Sequence, residues 1–76
     1  MNKNRRNRIS KIISAIEDLT TEIDELESEE QDAFDAMPER LQVSERGEKA
    51  EAVIEALAQA RNDLETATSN LNDAIE

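Results

Sequence analysis

The chain has 76 residues, 28 of them apolar, and ten of those 28 are alanine. A single core of this size rarely supplies more than about 3–5 kcal/mol, and the absence of cysteine and histidine excludes disulfides, thiol or imidazole catalysis and the usual zinc sites. Nineteen acids against nine bases give a net charge of −10, which repels nucleic acid and anionic membranes and suits a basic partner.

The charge is unevenly placed. Met1–Lys11 holds five bases and no acid, whereas Glu17–Asp35 holds ten acids and no base. The first seven residues are expected to be a basic tail. They do not open a signal peptide, because Ser10, Lys11 and Ser14 interrupt the apolar stretch that would follow. No apolar run approaches the ~18 residues of a membrane span. The expectation is a soluble, cytoplasmic protein with no membrane partner.

From Ile9 the apolar residues alternate in steps of three and four. With Ile9 at heptad position a, the a series is Ile9, Ile16, Ile23, Glu30 and Met37, and the d series is Ile12, Leu19, Leu26 and Ala33. This periodicity predicts a helix over about 8–36 with a continuous seam. Ile13 and Phe34, both at e, widen it. Glu30 interrupts the seam, either as a fray or kink near the helix end or as a polar device that fixes register.

Pro38 ends this helix, because it lacks an N–H and disfavours helical geometry at Met37. The corner 37–44 is expected to hold a short helical turn. Ser44 is placed to cap a second helix over about 45–75, with Glu45 and Glu48 in the first turn. Gly47 is the only glycine and implies a close approach to the backbone there, by a packing partner or a ligand. On this helix Ala50, Leu57, Leu64 and Leu71 form one series. Val53, Ala60, Ala67 and Ala74 form another, whose small residues would let backbones come close.

The fold class is therefore all-α. Residues 8–76 are read as an antiparallel two-helix hairpin, coiled-coil-like, assembling into a helical bundle as a homodimer or higher oligomer. Ile16, Leu19, Ile23, Leu26, Leu57 and Leu64 are the expected interface residues. Antiparallel packing would set Arg5–Lys11 near Asp73 and Glu76. Without histidine, and with its glutamates mainly off the seam, the chain is expected to hold no catalytic residues, metal or cofactor. Direct nucleic-acid binding is not expected, since no aromatic is placed for stacking.

The corner is the candidate ligand site. Free N–H groups at the start of the second helix favour an anion, and Arg40, Ser44, Arg46, Gly47 and Lys49 surround it. The competing reading is a structural corner with Ser44 as cap and surface Arg–Glu pairs. The segment Met37-Pro38-Glu39-Arg40-Leu41-Gln42-Val43-Ser44-Glu45-Arg46-Gly47-Glu48 resembles the Pro-Glu-x-Leu-Gln-x-Ser-Glu-Arg corner of small acidic two-helix proteins of phages and bacterial mobile elements. The resemblance spans about Glu29–Ile75. It implies a phage-type accessory protein that counters host defence in the host cytoplasm. Three modes follow. The favoured one is sequestration of a phosphorylated or nucleotide signal, cyclic or linear, at the corner of an oligomer. The second is an acidic nucleic-acid mimic that inhibits a basic defence nuclease through the first helix. The third is a structural assembly protein.

Overall fold

The computed structural model describes residues 1–76 and contains three helices and no strand: α1 (Lys3–Asp35), α2 (Glu39–Gln42) and α3 (Glu45–Ala74). The two long helices lie along one another in a rod of 58 × 14 × 13 Å. At ~1.5 Å per residue, α1 is about 50 Å long and α3 about 45 Å, so each spans most of the rod. The radius of gyration is 17.2 Å, against about 11 Å for a globular chain of this length. No helix is long and apolar enough to cross a membrane.

The basic segment is not a tail. α1 begins at Lys3 rather than near residue 8, because Asn2 caps it: Asn2 Oδ1 accepts the Arg5 N–H at 2.8 Å. That satisfies one of the orphan donors of the first turn. The cap offsets an unfavourable start, since the first turn has no acid and carries bases where the helix dipole disfavours them. At the other end α1 passes unbroken through Glu30 to Asp35, so the helix does not fray at Glu30.

The two long helices meet through heptad positions a and e. On α1 the a residues Ile9, Ile16, Ile23 and Glu30 and the e residues Ile13, Thr20, Glu27 and Phe34 are shielded. α3 repeats this pattern with Ala50, Leu57, Leu64 and Leu71 at a and Ile54, Arg61, Thr68 and Ile75 at e. Ile13, 8% exposed, is the only buried apolar residue, and no side chain is fully enclosed. Position d sits about 80° round the helix from the middle of this contact at ~100° per residue. Accordingly Ile12, Leu19 and Leu26 are 49–52% exposed. The alanine series does not line the closest approach, as its spacing suggests. It also occupies position d, with Ala60 and Ala67 half-buried at the edge and Val53 and Ala74 exposed.

Polar residues occupy the middle of the e series, and three of the four, Thr20, Glu27 and Arg61, have a partner. Thr20 Oγ1 donates to the Ile16 carbonyl at 2.8 Å. Arg61 donates to Glu27 across the helix pair, Nε to Oε2 at 2.9 Å and Nη2 to Oε1 at 3.5 Å. Glu65 lies 3.7 Å and Asp24 3.9 Å from the same guanidinium. The hydrogen bond and charge of Glu27 hold the Arg61 pKa above its ordinary value against partial desolvation, with smaller contributions from Glu65 and Asp24. A raised base pKa stabilises the fold at every pH below the unfolded value, so this contribution is lost only in strong alkali. Arg61 is the only base that forms an ion pair. The expected pairing of Arg5–Lys11 with Asp73 and Glu76, and of the corner arginines with neighbouring glutamates, does not occur.

Glu27→Gln and Arg61→Gln are each expected to lower the thermal midpoint. The double variant should lose less than the sum of the two, because each single change strands the other half of one pair. Strict additivity in melts of the four proteins would show that the pair contributes nothing as a pair.

The corner is held by its own capping. Gln42 Nε2 donates to the carbonyls of Phe34 at 3.1 Å and Met37 at 3.3 Å, which closes the otherwise open C-terminus of α1. Pro38 opens α2, and its carbonyl accepts from Leu41 N at 2.8 Å and Gln42 N at 3.1 Å. Gly47 is buried. A Cβ there would lie 2.0 Å from the Gln42 carbonyl oxygen and 2.6 Å from that of Leu41. The close approach that the lone glycine implies is therefore made by the α2 backbone.

Candidate functional site

Two features of the surface are candidates, the corner and one long face. At the corner the first turn of α3 brings Ser44, Glu45, Arg46 and Lys49 around an open hollow of about 350 Å³. Arg46 and Lys49 are exposed and make no ion pair, so two uncommitted cations face one carboxylate. Ser44 stands at the N-cap position with extended backbone, but its hydroxyl does not cap α3. It donates instead to the Leu41 carbonyl. The first N–H groups of α3 consequently have no side-chain partner, and a helix N-terminus in that state attracts negative charge.

The other two corner residues do not join this hollow. Arg40 belongs to α2, is exposed and lies outside the lining. Gly47 is covered by the carbonyls of Leu41 and Gln42. Of the five residues named from sequence, the structure brings Ser44, Arg46 and Lys49 together, gives Gly47 to packing and leaves Arg40 apart. No group of three or more carboxylates is arranged to hold a metal ion.

The long face is larger. Arg61 at e of α3 meets Glu27 at e and Asp24 at b of α1, together with Glu65 at b of α3. The b and e edges of both helices thus share one side of the rod. On both helices position d lies across a from e, so the two d series share the opposite side. That side presents Ile12, Leu19 and Leu26 from α1 and Val53 from α3, each 44–52% exposed, with Ala60 and Ala67 between them. Near its N-terminal end Met1, Ile9 and Ile12 line a hollow of about 200 Å³ with Arg5 and Arg8. Of the six interface residues named from sequence, Ile16, Ile23, Leu57 and Leu64 lie in the contact between α1 and α3, whereas Leu19 and Leu26 lie on the open face.

Arg61 and Glu27 were not singled out by the heptad reading. The available signal was that Arg61 is the only base after Lys49, at an e position that faces the base-free stretch Glu17–Asp35 of α1. Comparison with known proteins adds nothing to this geometry: no family model, curated protein or solved structure matches the chain.

Proposed function

We propose that this chain is a non-catalytic binding protein, an antiparallel helical hairpin that completes its core only when its open face is covered, so that its working form is a helical bundle. The observation that carries this reading is the register of Ile12, Leu19, Leu26 and Val53 on one side of a rod whose one buried apolar residue is Ile13. Apolar side chains recurring at one heptad position over about four turns are what a helical partner surface recognises. Sedimentation equilibrium tests it. A dimer or larger oligomer is expected at micromolar concentration. A fully helical monomer at that concentration would remove the proposal.

A second reading is supported by the uncommitted cations at the corner. In it, Arg46 and Lys49 hold a phosphate group at the first turn of α3, and the bundle sequesters a phosphorylated or nucleotide ligand. Arg40 is left without a role unless a second copy brings it near. Arg46→Glu tests this, because Arg46 is exposed and surface changes of this kind usually alter stability by no more than about 0.5 kcal/mol. Calorimetric binding of inorganic phosphate, or of a member of a panel of cyclic and linear nucleotides, should be present in the native chain and absent in the variant at an unchanged melting temperature. No heat with any of them would remove the ligand reading and leave the assembly reading untouched. For either mode the biological setting we propose is interference with host defence, on the resemblance of the corner segment.

A further inference from the structure

Resting on the assembly reading, we infer that the occupant of the open face is a second copy of this chain. Its α1 lies antiparallel on α1, about a two-fold axis passing beside Leu19.

The area fits one such partner. A compact monomer of 8.6 kDa exposes about 4,700 Å², whereas this chain exposes 5726 Å². The excess, about 1,000 Å², is close to the roughly 800 Å² that each partner buries in a standard interface.

Charge selects the orientation. α1 is bipolar, with the five bases of Met1–Lys11 at one end and the ten acids of Glu17–Asp35 along the rest. Neither Arg5 nor Arg8 has an ion pair within its own chain, and neither do Glu29 and Asp32. A copy laid parallel on α1 would stack bases on bases and acids on acids. Laying α1 on the partner's α3 would also keep both basic ends at the same end of the bundle. Only the antiparallel α1 pair sets each basic end over the other chain's acidic end, and complementary patterns of this kind fix register.

The spacing agrees. The d series runs Arg5, Ile12, Leu19, Leu26, Ala33. A two-fold axis beside Leu19 sets Leu19 on its own copy, Ile12 on Leu26 and Arg5 on Ala33. The small side chain of Ala33 leaves room for the Arg5 guanidinium to reach Asp32, and Arg8 falls beside Glu29. Each contact occurs twice, as an isologous interface requires.

The chain has no native cysteine, so single cysteines report the arrangement. Under a glutathione redox buffer, an equimolar mixture of Ile12→Cys and Leu26→Cys chains should give the 12–26 disulfide as its main covalent dimer, and neither variant alone should dimerise covalently. Leu26→Cys linking to Ala60→Cys instead would place α1 on the partner's α3 and overturn the inference. So would 12–12 and 26–26 links, which mark a parallel pair. The native chain gives a second measurement, independent of substitutions. Carbodiimide should join Lys11 to carboxylates between Glu27 and Asp35, a distance of about 24 Å along one helix, and therefore only between chains, as a mixed isotope-labelled sample would show. Links from Lys3 and Lys11 solely to Asp73 and Glu76 count against it. A dimer by sedimentation that lacks these links removes the orientation and keeps the assembly reading; a monomer removes both.

Discussion

Replacing Gly47 by alanine is expected to destabilise the protein by about 1–3 kcal/mol, the usual cost of forcing extra atoms into a filled space. At ~4–8 °C per kcal/mol for a domain this small, the melting temperature should fall by roughly 4–24 °C. The sign is informative, because helix propensity alone predicts the opposite. Gly47 lies inside α3, and alanine is favoured over glycine in a helix by about 1 kcal/mol. What reverses the sign is the Gln42 carbonyl oxygen, 2.0 Å from where the new Cβ would stand, with the Gln42 carbonyl carbon at 2.4 Å. These are backbone atoms of α2 and cannot swing aside. α2 would have to lift, which would also pull Gln42 Nε2 from the carbonyls of Phe34 and Met37. Paired thermal melts decide it, and a raised midpoint in Gly47→Ala would show that α2 does not press on α3.

Four residues of the corner segment have a structural duty. Pro38 starts α2, Gln42 closes α1, the Ser44 hydroxyl satisfies the Leu41 carbonyl, and Gly47 admits the α2 backbone. A sequence reader sees one proline, one glycine and scattered cations, and cannot separate a ligand cradle from a tight turn, because both ask for a residue without a side chain. The distinction lies in which atoms fill the space, and in this chain they are the carbonyls of residues 41 and 42. The residues of the segment left without such a duty include Arg40, Glu45 and Arg46, and any ligand chemistry at the corner falls chiefly to them and Lys49.

The helices themselves were legible because the three-four alternation from Ile9 and the series from Ala50 leave no other regular structure. The start of α1 was not. Its first turns carry bases instead of apolar residues, so periodicity is silent there, and a single Asn2 hydrogen bond decides the boundary. Nor was the side on which the helices meet. The apolar residues of α1 occupy a, d and e together, and a stripe that wide permits contact through a and d or through a and e. α3 settles it, since Gly47, Ile54, Arg61, Thr68 and Ile75 all stand at e. The polar middle of that series matches Thr20 and Glu27 on α1. Reading the two helices as a pair, level by level, would have found the Arg61–Glu27 link that reading each helix alone passes over.

The sharpest consequence of that choice of side is a contrast between two aspartate substitutions one turn apart. Ile23 sits in the contact between α1 and α3, whereas Leu19 is 52% exposed. Ile23→Asp puts a carboxylate into the seam beside the acids Glu27 and Glu30. Burying an unpaired charge costs several kcal/mol, about as much as the whole core supplies, so circular dichroism of this variant should show a largely unfolded chain at any concentration. For Leu19→Asp the outcome depends on what covers the open face. If the isolated hairpin were the working form, an exposed leucine could be exchanged for about 0.5 kcal/mol or less. If the face is covered, two aspartates meet at the two-fold axis, and association should be lost. Because a rod with one buried apolar residue lacks the area to offset the entropy of ordering its chain, the proposed assembly is expected to be coupled to folding. Helicity should then disappear with association, and the native chain's melting temperature should rise with protein concentration. A Leu19→Asp chain that is monomeric by sedimentation yet keeps its native helicity would break that coupling and show the hairpin to be stable alone.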